Sequence, residues 1–390
     1  MALQQSGSVA GRLAKVILGL AVVAAMTSIA ARAQDELGFA RAKHLRRGIN
    51  LSMWYAQDYD LYNATGGAEK LATYITPADF KLVHDLGFDH VRLSIDPVPL
   101  VADKTTGALR PEAIARLDET VKQITATGLV VVLDIHPEDA WKYASLQTDD
   151  GTTQFFAFWK SFAAHFAGTD PDKVYFEVMN EPAKVDLYRW AGEQAKVVEV
   201  IRSQAPHHTI IVGGANWNGI NGLQALEPLR DDNIIYTFHD YNPMTFTHQG
   251  ATWAGEALKP LQGVPYPSTP ENVAPLVAEL PDGPAKKDLA WYGQQRWSAA
   301  TMEKEISVAV EWAKQRHVPL WCGEFGVFIE HSQPADRDRW IADMRKTLEK
   351  DGIGWNMWDY RGGFALVSKK DGVPVVDEGV ADALGLKGRK

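Results

Sequence analysis

Eight short strand-like runs alternate with helical patterns along this chain, and that alternation constrains its fold more than any other feature. The runs are RGINLSM (47–53), HVRLSI (90–95), LVVVLDI (129–135), KVYFEVM (173–179), TIIVGG (209–214), NIIYTF (233–238), VPLWCG (318–323) and IGWNMW (353–358). Each is rich in β-branched or aromatic residues and bounded by turn formers. Between them, Pro111 opens a helical pattern that stops at Gly128, and similar patterns cover 153–168, 185–204, 298–316 and 335–352. Strands separated by helices pair in parallel through right-handed crossovers.

Eight such units predict α/β architecture as a single closed (β/α)8 TIM barrel, with a doubly wound open sheet as the second choice. No Gly-x-Gly-x-x-Gly follows the first strand, which argues against the dinucleotide-binding form of the open sheet. Residues 240–296, rich in Pro, Gly and aromatics, predict a long irregular loop after strand six. On a barrel that loop lies on the face where chemistry is built.

The N-terminus reads as a secretory leader over residues 1–33. Arg12 and Lys15 precede the apolar run VILGLAVVAAMTSIA, and Ala31-Arg32-Ala33 has the small-x-small form of a cleavage site. The run is short for a membrane span of roughly 20 residues. The expected mature chain is therefore one domain, 34–390, secreted to periplasm or medium without stable membrane association. The formal net charge of −9 becomes −12 once Arg12, Lys15 and Arg32 are removed. Such an acidic surface makes nucleic acid a poor partner and suits a neutral or cationic one. Cys322 is the sole cysteine, so no intrachain disulfide is possible and the core must carry stability. A monomer is expected.

In barrels of this kind the functional groups stand at the C-terminal ends of the strands. Read in order, those ends supply Trp54 after strand one, Arg92 within strand two and His136 after strand three. Asn180 and Glu181 follow strand four, and Asn216 and Trp217 follow strand five. His239 and Tyr241 follow strand six, Glu324 follows strand seven, and Trp358 ends strand eight. Strands four and seven lie on opposite sides of an eight-stranded barrel, so Glu181 and Glu324 can face each other across its mouth. Two facing carboxyl groups about 5 Å apart are what glycoside cleavage by double displacement requires.

The ordered set Arg92, His136, NEP (180–182), HDY (239–241), GEFG (323–326) and Trp358 resembles glycoside hydrolase family 5, the cellulase family of retaining (β/α)8 enzymes. The resemblance runs over essentially the whole chain after the leader. It implies Glu181 as acid/base and Glu324 as nucleophile, with Arg92 holding Glu324 ionised. It further implies Asn180 on the sugar 2-hydroxyl, His136, His239 and Tyr241 around the cleaved sugar, and Trp358 as its stacking floor. The implied activity is secreted endo-β-1,4-glucanase action on a β-linked polysaccharide or oligosaccharide.

Other readings stay open at this stage. The same chemistry could act on β-mannan, on xyloglucan, or on β-1,3-glucan from a chain end. A non-catalytic carbohydrate-binding barrel would typically have lost Glu181 or Glu324. A phosphate-binding barrel such as an aldolase would need a strand-end lysine. No cofactor or metal is expected, because the His-x-His of metal-dependent barrels does not follow strand one. Trp54, Tyr55, Trp141, Trp217 and Trp253 are candidate sugar platforms, and Cys322 is expected to pack inside the barrel.

Overall fold

In the computed structural model, which describes residues 37–57 and 67–386, all eight predicted strands form and close on themselves. They are β1 (Arg47–Tyr55), β2 (His90–Ile95), β3 (Val130–Ile135), β4 (Val174–Glu177), β5 (Ile210–Gly213), β6 (Ile234–His239), β7 (Leu320–Phe325) and β8 (Gly354–Met357). Each neighbour in the ring is parallel, and β1 pairs with both β2 and β8. The helices that return the chain are α1 (Pro77–Asp85), α2 (Pro111–Ala126), α3 (Asp149–Phe166), α4 (Leu187–Gln204), α5 (Ile220–Gln224), α6 (Ala299–Arg316), α7 (Pro334–Lys350) and α8 (Glu378–Ala383). The architecture is a (β/α)8 TIM barrel. The expected leader, 1–33, lies outside the described residues. Among the described residues, no helix is long and apolar enough to cross a membrane.

Period-two alternation sends one set of strand side chains outward and the other inward. The outward set, including Ile49, Leu51, Val91, Leu93, Val131, Leu133 and Phe176, joins the helices in one large apolar core. Inside the barrel, Val130, Val132, Tyr175, Ile211, Ile235 and Trp321 form a separate apolar layer. Cys322 corrects the expectation of an inner position: next to inward Trp321 on β7, it points outward and packs in the large core. Moving toward the C-terminal end, the inward positions turn polar. Strand pairing sets Asn50 beside Arg92 and Asp134 beside Glu177. The apolar layer thus closes the barrel from below, and the polar groups above it have only the mouth to face.

The stretch 240–296 is more regular than its composition suggests. It contains helices Met244–Thr247, Pro270–Glu279 and Pro284–Gln295. Thr269 caps the second of these through a reciprocal capping box with Asn272. Pro270 and Pro284 occupy first-turn positions, where the missing N–H costs nothing. Prolines that read as loop formers are helix initiators here.

Candidate active site

Arg92 is the hub of the mouth. Fully buried on β2, its guanidinium donates from Nε and Nη2 to the two oxygens of Glu177, at 2.6 and 2.9 Å. Nη1 donates to Glu324 Oε1 at 2.7 Å and to Asn50 Oδ1 at 3.0 Å. Nη2 also reaches Asn180 Oδ1 at 2.9 Å and lies 3.1 Å from Asp134 Oδ2. One cation therefore faces three carboxyl groups. Burial pushes Asp134 up to about 7 and raises Glu177 as well, with Arg92 opposing both shifts. Asn50, Asp134 and Glu177 were missed as site residues in the sequence. A signal for the last two existed: each is a lone carboxylate inside an otherwise apolar, doubly buried strand.

Glu324, on β7, is 5% exposed at its side chain, while Glu181, just past β4, is 25% exposed. Glu324 is thus the deeper of the two groups and Glu181 the more open one. Tyr241 donates its hydroxyl to Glu324 Oε2 at 2.8 Å, so both Glu324 oxygens accept a hydrogen bond. Burial raises Glu324 most strongly, and His239, Arg92 and the Tyr241 hydroxyl pull it back toward the ionised form. Burial also raises Glu181. Two carboxyls this close favour a single shared charge, and the donors Arg92 and Tyr241 on Glu324 favour its ionised form against the burial that raises it to about 7.

His239 ends β6 with Nδ1 3.0 Å from Glu181 Oε1 and 3.5 Å from Glu324 Oε2. Burial pushes its pKa down to about 4, so it is a neutral hydrogen-bonding partner near pH 7. Gly323 makes room for it: a Cβ there would sit 3.0 Å from His239 Nε2. His136 follows β3, with Nδ1 2.9 Å from Asp134 Oδ2 and Nε2 3.1 Å from Asn180 Nδ2. It too is held neutral by burial. The His136 ring stacks on Trp358, with centroids 5.7 Å apart and planes at 22°. Glu181 itself has φ 47, and Asn216, Trp217 and Asn218 have φ 58, 56 and 53. Left-handed backbone at non-glycine residues is costly, and it collects here where two mouth loops meet through Trp217 N–H to Pro182 O.

Eight of the ten predicted site residues converge on the mouth directly: Arg92, His136, Asn180, Glu181, His239, Tyr241, Glu324 and Trp358. Trp217 stands at its rim, 52% exposed. Trp54 is a correction. It lies within β1 rather than after it, is 3% exposed, donates Nε1–H to Leu71 O and packs on Tyr55 and Phe80. The pairing of β1 with β2 shifts register between Leu51 and Tyr55, and Met53 is left-handed (φ 54). That bulge turns Trp54 away from the mouth. Tyr55 is likewise buried and Trp141 packs on Phe155 and Phe158, whereas Trp253 is 63% exposed against Phe328. Ligand atoms of Glu181, His239 and Glu324 lie within 4.8 Å of one another, close enough to chelate a divalent cation. The Arg92 guanidinium on Glu324 opposes a second positive charge there.

The family model for cellulase (glycosyl hydrolase family 5) matches residues 57–363 of the chain. Endoglucanase C of Acetivibrio thermocellus is 29% identical over 85% of this chain and 96% of its own length. Cellodextrinase A of Ruminococcus flavefaciens is 28% identical over 80% of this chain and 84% of its own. The crystal structure of Thermotoga maritima Cel5A in complex with mannotriose superposes with a TM-score of 0.72 at 25% identity, covering 89% of this chain and 99% of that one.

Proposed function

The chain belongs to glycosyl hydrolase family 5 and is a glycoside hydrolase, and we propose that it cuts β-1,4-glucan internally by double displacement. The observation that carries the mechanism is the placement of Glu181 and Glu324. An oxygen of one lies within 4.8 Å of an oxygen of the other, and both Arg92 and Tyr241 donate to Glu324. Retaining enzymes hold their carboxyl groups about 5–5.5 Å apart, and inverting ones hold them farther apart to admit a water.

In the first half-reaction, Glu324 attacks the anomeric carbon. The glycosidic bond breaks toward the leaving oxygen, which takes the proton of Glu181. In the second, Glu181 removes a proton from water, whose oxygen displaces Glu324 and returns the original configuration. His239, hydrogen-bonded to Glu181 and neutral, steadies it in both states. Trp358, held by the His136 stack, offers an apolar face to the sugar ring, and rim-exposed Trp217 offers one beside Glu181. Asn180 would turn its amide to the 2-hydroxyl. Glu181 and Glu324 are both kept, which speaks against a purely binding barrel.

The reading includes secretion by way of the 1–33 leader, a mature domain from Gln34 to Lys390 acting as a monomer, and no cofactor. N-terminal sequencing of the exported protein checks the leader, and light scattering checks the monomer. Digestion of a polymer panel with product sizing tests the activity. Carboxymethylcellulose should shorten to large oligomers before small sugars accumulate. Steady release of monosaccharide would instead indicate exo action. A faster reaction on mannan would favour a second reading suggested by the mannotriose complex of the Thermotoga relative.

A further inference from the structure

Three strands lose bulk directly above the inner apolar layer. Two residues beyond Ile211, Ile235 and Trp321, the alternation brings Gly213, Thr237 and Gly323 to the inward face. Two of these three positions have no side chain, and the polar atoms beside them have no partner. Thr237 Oγ1, both amide atoms of Asn218 and Nε2 of His239 are sealed without a hydrogen bond among the described residues. Thr237 and Asn218 are fully buried, and His239 is 5% exposed. Thr237 Oγ1 and His239 Nε2 lie 2.7 and 3.0 Å from the point a Cβ on Gly323 would occupy, yet they do not bond each other. Asn218 Nδ2 lies 2.4 Å from the corresponding point on Gly213. The Asn218 carbonyl accepts the backbone N–H of His239 at 2.9 Å, which ties the same turn to the end of β6.

Buried polar atoms are nearly always satisfied, by protein or by ordered water. A roomy site with two to four such atoms is one that holds a water. We propose that Thr237 is a positioning residue for the acid/base group: its hydroxyl, through one trapped water shared with the Asn218 amide, supplies a donor to His239 Nε2 and keeps the imidazole proton on Nδ1. This rests on Glu181 being the acid/base. A neutral imidazole has one donor and one acceptor nitrogen, and the partner of one decides the role of the other. With Nε2 accepting, Nδ1–H donates to Glu181 Oε1 at 3.0 Å. Oε1 can accept in both states of the carboxyl group, so the proton given to the leaving oxygen is held on Oε2. In the other tautomer a bare Nδ1 would draw that proton onto Oε1, away from the leaving oxygen.

The charged groups around His239 do not take this place. Glu181 and Glu324 both approach Nδ1, and Arg92 is engaged by Glu177, Asn180 and Glu324. Burial keeps both His239 and His136 neutral. Nε2 is left with the uncharged groups of β6 and of the turn after β5, Thr237 and Asn218.

The test reads the tautomer apart from turnover. Nitrogen NMR of histidine-labelled protein near pH 7, with His239→Gln identifying the signal, is expected to show the wild-type proton on Nδ1. T237V should move it wholly or partly to Nε2, and T237S should restore it. On a cello-oligosaccharide T237V should lose on the order of tenfold in kcat/KM. Its alkaline limb should move to higher pH, because a donor to the Glu181 carboxylate is lost. On a dinitrophenyl β-cellobioside, whose leaving group needs no proton, kcat/KM should hold. T237S should recover the wild-type rate and limb. A wild-type proton on Nε2, an unchanged tautomer and limb in T237V, or an equal loss on both substrates would overturn the proposal. If valine is not tolerated at the site, T237A carries the same comparison. Azide trapping with E181A separates the two levels. No β-glycosyl azide would remove the acid/base assignment itself, whereas trapping with an unmoved tautomer in T237V removes the role of Thr237 alone.

Discussion

Arg92 donates to Glu324 Oε1 at 2.7 Å with one arm of its guanidinium while Glu177 holds the other side of the fork. The cation facing Glu324 is thus positioned by a second carboxylate, from the strand that leads to Glu181. Arg92→Lys keeps a charge but cannot fill five acceptors in a planar fork. The acidic limb of kcat/KM should move to higher pH, since weaker contact lets Glu324 hold its proton longer. Arg92→Ala should also unfold more easily, by about 3–5 kcal/mol in urea titration, because three buried carboxyl groups lose their partner. A Lys variant with an unshifted limb would show that Arg92 does not set the ionisation of Glu324.

Tyr241→Phe removes the hydroxyl that donates to Glu324 Oε2 at 2.8 Å and leaves the ring against His248 and Phe364. The stability cost should be about 1 kcal/mol. The kinetic effect should be larger: roughly tenfold or more in kcat/KM with the acidic limb again raised, because a charge-assisted bond to Glu324 is lost. Equal profiles for wild type and Tyr241→Phe would mean that this bond forms only without substrate.

Much of this was legible in the sequence, and the misses have specific physical causes. All eight strands could be read because parallel strands buried on both faces are short, apolar and β-branched. The site residues followed because each such strand ends in a polar or aromatic side chain. Trp54 failed because a register shift after Leu51 reverses the direction that the alternation predicts. The helices at 270–279 and 284–295 were hidden by prolines at their starts and by Pro275 inside the first. Glu177 and Asp134 were quoted within their strands, yet their roles depend on strand neighbours that only the closed barrel brings together.

A second acidic pair lies behind β6. Asn242 donates its backbone N–H to Asp240 Oδ1 at 2.8 Å and its side-chain amide to Glu305 Oε1 at 2.6 Å. The remaining oxygens, Asp240 Oδ2 and Glu305 Oε2, are both sealed without a partner. Burial raises both groups, and Glu305 raises Asp240 further. Groups whose folded pKa is raised contribute stability that is fully present below the unfolded value and is lost as pH rises through the folded value. Glu305→Gln keeps the acceptor for Asn242 and removes one titration. Its unfolding free energy should gain on wild type between pH 4 and pH 9, by on the order of 1 kcal/mol per unit of pKa shift. A difference that stays constant over that range would show that folding does not raise the pKa of Glu305.

The division of labour between Glu181 and Glu324 is the central claim, and azide trapping on an activated aryl β-glycoside reads it directly. Glu324→Ala should lose several kcal/mol of transition-state stabilisation, and azide should then enter the vacated face to give the α-glycosyl azide. Glu181→Ala should still form the glycosyl-enzyme on Glu324, so azide should displace it from the opposite face and give the β-glycosyl azide. Opposite anomers from the two variants, assigned by proton NMR, are the predicted result; a β product from Glu324→Ala would reverse the roles of the two residues.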